Sequence, residues 1–148
     1  MRSWVVSGLL LLSAGSSLSG CFTPDDFIGC FEGCGGRTFV RLDPPIGAPG
    51  KFALTVKAGW VDATCTVTVP LHGGLINCPG APDLQVWASD DASSDFAGIS
   101  LYIQPASVRV EIRREGEVLV DRSSNVTVRS EGDECSCMVG RASISTLR

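Results

Sequence analysis

Apolar and polar residues alternate strictly along two neighbouring stretches of the chain. In residues 51–57 the apolar side chains occupy the even positions, and in residues 61–69 they occupy the odd positions between Asp62 and three threonines. Because successive side chains of a β-strand point to opposite faces, a period of two predicts a strand with one buried face. A turn at Ala58-Gly59 separates the two strands. The residues expected on the buried face of the second strand are Val61, Ala63, Cys65, Val67 and Val69.

The strand at residues 61–69 is expected to pair with the strand that follows it, forming a hairpin. Pro70-Leu71-His72-Gly73 suits a four-residue loop, and residues 74–78 suit the returning strand. In that register Cys65 lies opposite Cys78. Directly opposed residues have Cα atoms about 4.5–5.5 Å apart, which is within the range that a disulfide spans. The pattern therefore predicts a Cys65–Cys78 disulfide.

Short strands are also expected along the rest of the chain, and no segment after the N-terminal run has apolar residues at helical spacing over three turns. Asp43–Gly50 is expected to be a loop, Glu115-Gly116 a hairpin turn and Gly140 the site of a bulge. Many short strands separated by turn signals predict an all-β chain folded as a single antiparallel β-sandwich. The further strands are expected at residues 37–42, 84–88, 96–104, 107–114, 117–121, 125–129 and 138–147.

The N-terminal segment has the pattern of an export signal. A short basic start is followed by an apolar run and then by small polar residues, and the run is too short to span a bilayer. The ending Leu18-Ser19-Gly20-Cys21 resembles the lipobox of bacterial lipoproteins. The resemblance implies that residues 1–20 are a signal peptide and that Cys21 carries lipid as the first mature residue. Residues 21–29 would then be a short membrane tether, and residues 30–148 a disulfide-linked β-sandwich domain.

The residue after the acylated cysteine bears on the destination of the protein. In enterobacterial lipoproteins an Asp at that place retains the protein on the inner membrane, and here the residue is Phe22. By this resemblance the chain would be anchored in the outer membrane.

The cysteine count agrees with lipidation. The chain has seven cysteines, and assigning Cys21 to lipid leaves Cys30, Cys34, Cys65, Cys78, Cys135 and Cys137. An even number of cysteines in an oxidising compartment predicts three disulfides. Because Cys135 and Cys137 point the same way on an extended chain, each is expected to pair with one of Cys30 and Cys34. A four-thiolate metal site is the alternative, although neither spacing is C-x2-C.

Charge and candidate chemistry narrow the classes of function. The net charge is −4, with no basic stripe, so nucleic acid is not an expected partner. His72 is the only histidine, and no Gly-x-Ser-x-Gly motif accompanies it as a nucleophile.

Asp90, Asp91 and Asp95 could bind calcium, but they do not match an EF-hand and are expected to form a solvated loop. Trp60 and Trp87 are expected to pack in the core or at an edge rather than to form a sugar platform.

The mature part of the chain has a resemblance of its own. The segment Val108 to Val118, Val-Arg-Val-Glu-Ile-Arg-Arg-Glu-Gly-Glu-Val, resembles the later strands of transthyretin-like or immunoglobulin-like domains. Residues 51–147 also resemble small cysteine-bearing lipoproteins of myxobacterial type, whose function is not assigned. These resemblances imply a fold and no activity.

The expected function is therefore that of a non-enzymatic binding or interaction module, held by a lipid anchor on the outer membrane. Its expected partners are the membrane and an envelope protein or glycan, and no cofactor or metal is expected. The alternative is an envelope hydrolase that uses carboxylates not visibly paired in the sequence. A pocket with two converging carboxylates would favour the hydrolase, whereas an exposed apolar or aromatic surface would favour the binding module.

Overall fold

The computed structural model describes residues 36–89, 94–131 and 137–147, and these residues form β-strands and turns. Within these ranges the chain has no helix long and apolar enough to cross a membrane. The all-β class predicted from the alternation is confirmed. The strands are β1 (Arg37–Ile46), β2 (Gly50–Ala58), β3 (Val61–Val69), β4 (Leu75–Cys78), β5 (Ala81–Ala88), β6 (Phe96–Leu101), β7 (Ser107–Arg114), β8 (Glu117–Asn125), β9 (Thr127–Glu131) and β10 (Cys137–Ser145).

The strands form two sheets. One sheet has six strands in the order β4-β5-β6-β1-β10-β9, and the other has four in the order β3-β2-β7-β8. The prediction of purely antiparallel pairing is wrong at one place, because β1 and β10 pair in parallel. Parallel neighbours need a long crossover connection between them, and most of the domain supplies it here.

Apolar side chains from both sheets form one cluster of buried residues. Strands β2 and β3 begin and end close to the predicted positions, and the residues predicted on their inner faces are buried except for Ala63, which is half-buried. Burial of this kind contributes about 25 cal/mol per Å² of apolar surface. The largest fully buried side chains of the cluster include Val40, Leu42, Phe52, Leu54, Leu84, Phe96, Ile99, Leu101, Ile112 and Ile144.

The predicted β3–β4 hairpin is wrong. Strand β4 pairs with β5 at the edge of the six-stranded sheet, whereas β3 is an edge strand of the four-stranded sheet. The chain changes sheets because Leu71, in the connection, is buried and its backbone N–H donates to the carbonyl of Ser94 at 2.7 Å. The Cys65–Cys78 disulfide is nevertheless present, with a Cα–Cα distance of 5.7 Å. It joins the edges of two different sheets.

Strand β1 continues through Asp43-Pro44-Pro45-Ile46, where a loop was expected. The ladder to β6 shifts register between Arg41 and Ile46, so the two prolines lie where the ladder needs no backbone N–H. Thr146 holds this part of β1, since its backbone N–H donates to the carbonyl of Asp43 at 2.9 Å and its hydroxyl to that of Pro44 at 2.7 Å.

Gly140 does not mark the bulge that was expected there. The described ladders of β10 run through Gly140 without a register shift. A Cβ atom at this position would instead meet the hydroxyl of Thr38 on β1 and the side chain of Val126. The glycine therefore allows β1 and β10 to lie side by side around a buried threonine.

Candidate binding face

The outer face of the six-stranded sheet carries a group of arginine and aromatic side chains. On β1, Thr38, Val40 and Leu42 are buried, so the residues between them point outwards from the sheet. Strands β5, β9 and β10 add further residues at the registers that pair with these positions. We call this surface the arginine–aromatic face. It is formed by Arg37, Phe39, Arg41, Trp87, Tyr102, Arg129 and Arg141.

The ladder register places these side chains in rows across the sheet. One row runs from Trp87 on β5 through Gly98 to Arg41 and then to Ser143 on β10. The next row runs through Phe39 and Arg141. Residues more than 40 positions apart in sequence thus become direct neighbours, with strands about 4.8 Å apart.

Arg37 is held at one end of this face by aromatic and amide groups. Its guanidinium carbon lies 4.2 Å from the centroid of the Tyr102 ring. Its Nη2 donates to Oε1 of Gln85 at 3.2 Å and to the hydroxyl of Tyr102. A cation over an aromatic ring is stabilised by the charge distribution of the ring. The side chain is therefore ordered before any ligand binds.

A groove of about 890 Å³ opens on the arginine–aromatic face. Phe39, Arg41, Trp87, Arg129 and Arg141 line it. Hydroxyl and amide side chains complete the lining, namely those of Ser124, Asn125, Thr127 and Ser143. The groove therefore combines cationic, aromatic and uncharged polar groups in one place.

The indole of Trp87 packs on Gly98 at the floor of this groove. A Cβ atom at Gly98 would meet Cζ2 and Cε2 of Trp87 at 2.5 and 2.6 Å, and it would also meet the carbonyl oxygen of Val40. Trp87 Nε1 is buried and has no hydrogen-bond partner in the structure, and the same holds for the hydroxyl of Ser100. Both polar groups are thus buried beneath this face without a hydrogen-bond partner.

Two arginines of the groove, Arg41 and Arg129, have no described ion-pair partner. Arg41 and Arg129 are exposed, and no described carboxylate lies within ion-pair distance of either guanidinium. Arg141 lies over Phe39, with its guanidinium carbon 5.1 Å from the ring centroid. Arg41 and Arg129 therefore carry positive charge that no described carboxylate neutralises, on a chain whose net charge is −4.

The outer face of the four-stranded sheet differs, because several of its charged residues form described ion pairs. Arg109 bonds Asp121 at 2.8 Å, and Arg113 bonds Glu111 at 2.7 Å. The hydrogen bond from Arg109 lowers the pKa of Asp121 below its ordinary value, and the hydrogen bond from Arg113 lowers the pKa of Glu111 in the same way. Each of these arginines therefore has its charge balanced by a carboxylate.

The candidate residues named from the sequence lie mostly away from the groove. His72 is exposed in the connection between the two sheets, beside a cavity of about 270 Å³ next to the Cys65–Cys78 disulfide. Asp95 is half-buried before β6, and its predicted calcium partners Asp90 and Asp91 lie outside the described residues. Within the described ranges, no three His, Cys, Asp or Glu side chains gather as metal ligands.

The remaining predicted sites cannot be placed. Cys21, Cys30, Cys34 and Cys135 lie outside the described residues, as does the side chain of Cys137. Their lipidation and pairing therefore stay predictions.

The two tryptophans among the described residues have different surroundings, and of the two only Trp87 packs as expected. Trp60, expected to pack, is 78% exposed at the turn between β2 and β3, so that prediction is wrong. Trp87 packs on the sheet but also lines the groove. Alternation in residues 84–88 could have placed Trp87 on the outer face, whereas no local signal links it with Arg41.

Comparison with known proteins adds no family to this description. No protein-family model matches the chain, and no curated protein or solved structure is found to match it. The resemblance to transthyretin-like and immunoglobulin-like domains therefore stays a prediction.

Proposed function

We propose that the chain is a lipid-anchored, non-enzymatic binding module of the bacterial cell envelope. Its two sheets would pack as a single sandwich of the immunoglobulin-like or transthyretin-like kind, and it would bind an anionic envelope molecule. The observation that carries this proposal is the groove in the arginine–aromatic face, where Arg41 and Arg129 have no described carboxylate partner.

The size and chemistry of the groove support ligand binding. Ligand sites commonly have volumes of about 300–1,000 Å³, and the groove falls within that range at about 890 Å³. Arginine presents a planar set of N–H donors that matches the oxygen atoms of carboxylate, sulfate or phosphate groups. The paired strands fix the backbone positions of these residues, so no backbone ordering is needed when a ligand binds.

The carboxylates support a binding role over hydrolysis. A glycosidase uses two converging carboxyl groups, of which one has a raised pKa. The carboxylates with altered pKa on the described strands, Glu111 and Asp121, have lowered values, and each bonds an arginine of its own four-stranded sheet. Neither of them lines the groove.

The lipid anchor is supported by Leu18-Ser19-Gly20-Cys21 and by the odd cysteine that it explains. A net negative chain gains little from anionic lipid, so stable attachment would depend on several acyl chains at one cysteine. Cys21→Ser is expected to abolish acylation and to remove the protein from the membrane fraction, measured by mass spectrometry and by fractionation. An unmodified Cys21 in the wild-type mature protein would contradict the anchor and the outer-membrane location.

Charge reversal on the groove tests the binding role. Immobilised full-length protein is incubated with solubilised cell envelope, and the material eluted by salt is assayed for uronic acid, phosphate and protein. Arg41→Glu combined with Arg129→Glu should retain at least about tenfold less anionic material than wild type. The control combines Lys51→Glu and Lys57→Glu, which reverse two charges on β2 of the other sheet. Equal losses in both variants would show that the groove has no special role.

A further inference from the structure

We propose that the ligand of the groove is an acidic polysaccharide, a glycan chain that carries negative groups at regular intervals. This inference rests on the proposed binding role of the arginine–aromatic face and specifies its ligand. It depends on how the register spaces the arginines and on what lies between them.

Three arginines form a diagonal line across neighbouring strands. Arg41 on β1 pairs with Ser143, two residues after Arg141 on β10, while Arg129 on β9 pairs with Val139, two residues before Arg141. Diagonal neighbours in a sheet lie about 7–8 Å apart, so Arg41 and Arg129 are separated by roughly 15 Å. A small anion contacts both ends only if the two arginine side chains bend towards each other. An extended polyanion contacts both ends without such bending.

The aromatic and hydroxyl groups of the groove suit sugar rings. Trp87 lies in the same row as Arg41, and Phe39 lies in the row of Arg141. An aromatic ring offers a broad apolar surface to the C–H face of a sugar. Asn125 and Thr127 add amide and hydroxyl groups that can both donate and accept hydrogen bonds.

The position of the groove argues for a glycan over an acidic peptide. Peptides commonly bind a sheet by adding a strand to its edge, where backbone groups are unpaired. The groove instead lies mainly over the central strands β1 and β10, whose backbone groups are used in ladders on both sides, and it reaches the edge strand β9 through the side chains of Thr127 and Arg129. A peptide here would gain charge contacts from Arg41 and Arg129 but no backbone pairing.

Tryptophan fluorescence tests the ligand directly. Trp4 lies in the predicted signal peptide, so Trp60→Phe leaves Trp87 as the single tryptophan of the mature protein. Titration with oligogalacturonate should change the Trp87 emission in a saturable manner, and binding should weaken as salt is added. Neutral dextran and methyl-esterified oligogalacturonate should bind at least about tenfold more weakly. Dextran sulfate shows whether the charged group is carboxylate or sulfate, and binding of either polymer supports the proposal.

Variants in the same background identify the contacts. Arg41→Gln and Arg129→Gln should each weaken binding about tenfold, whereas Lys51→Gln, which removes a charge from the other sheet, should leave it unchanged. Circular dichroism confirms that each variant is folded. Unchanged binding by a folded Arg41→Gln protein would overturn the proposal.

Other ligand classes are separated by further probes. Equal affinity for poly-glutamate, or for phosphatidylglycerol vesicles, would overturn the glycan assignment in favour of a general anion surface. If neither acidic polymer binds while envelope material is still lost on reversal of Arg41 and Arg129, the ligand class is wrong and the proposed function stands. If neither acidic polymer binds and the Arg41 and Arg129 reversal also retains as much envelope material as wild type, the glycan assignment and the proposed binding function are both wrong.

Discussion

Two glycines in central strands of the six-stranded sheet decide how closely its strands and side chains approach. Gly98 leaves the space that the Trp87 indole occupies, and Gly140 leaves the space for the hydroxyl of Thr38. That hydroxyl is fully buried and donates to the carbonyl of Ile103 at 2.7 Å. Since strand interiors usually disfavour glycine, both residues serve close packing.

Substitution at Gly98 should destabilise the fold. The Cβ atom of Gly98→Ala would collide with the Val40 carbonyl, which belongs to a neighbouring central strand, and with the Trp87 indole. Overpacking of this kind costs about 1–3 kcal/mol of unfolding free energy, measured by urea denaturation. Gly74→Ala is the control, because no atom lies within 4 Å of its added Cβ. Equal effects at both positions would contradict the packing argument.

Strand β3 shows how alternation works as a property of a whole element. Its apolar positions lie in the core and its threonines are exposed, although it is paired on one side only, with β2. A shift of the strand by one residue would expose the apolar side chains and bury the threonines. The burial of one face therefore determines its orientation.

Aspartate substitutions at adjacent positions of β3 should have very different effects. Val67 is 2% exposed, so Val67→Asp would place an unpaired charge in the core and lower the unfolding free energy by at least about 4 kcal/mol. Thr66→Asp, one residue earlier and on the exposed face, should change it by less than about 0.5 kcal/mol. Urea denaturation checks both variants. Similar losses would show that the face assignment is wrong.

The β7–β8 hairpin should contribute to the acid sensitivity of the fold. Bonding to Arg109 lowers the pKa of Asp121 below its ordinary value of 3.8, so the folded state binds this proton less readily than the unfolded state. The stabilisation is present above that value and is lost as the pH falls through the lowered pKa. Asp121→Asn should therefore flatten the fall in urea midpoint below pH 4. Asp83→Asn, an exposed carboxylate in no described ion pair, should leave the slope unchanged.

At the scale of the whole molecule, the two sheets are joined covalently at one edge. The Cys65–Cys78 disulfide links β3 to the end of β4, across a sequence separation of 13 residues. Each of these strands also has a ladder partner within its own sheet, β2 and β5 respectively. The disulfide therefore adds stability to β3 and β4, whose positions are already set by their pairing with β2 and β5.

Removing the disulfide should weaken the domain without changing its fold. Cys65→Ala with Cys78→Ala should lower the unfolding free energy by about 2–4 kcal/mol, because the unfolded chain regains the freedom of a closed loop. Circular dichroism should retain its β-sheet signal, and urea denaturation measures the loss. A variant that loses its β-sheet signal would show that the bond is needed to place β3 and β4.

The Cys65–Cys78 disulfide was predicted from a β3–β4 hairpin that the structure does not contain, so the alternation did not determine this pairing. The alternating pattern did determine the fold class, the position of β2 and β3 and the turn at Glu115-Gly116. These features depend on the period of two and on local turn chemistry, which short stretches of sequence carry by themselves. The resemblance at Leu18–Cys21 likewise depends on a short motif, and it lies outside the described residues.

Only the tertiary structure decided which strands are neighbours. Strand β1 lies beside β10 at a distance of about a hundred residues in sequence, and β4 joins the sheet opposite to β3. Alternation encodes which face of a strand is buried, but the choice of partner depends on how the complete core packs. The diagonal of Arg41, Arg141 and Arg129 follows from those pairings. No local pattern could therefore predict the arginine–aromatic face, because its residues become neighbours only through these strand pairings.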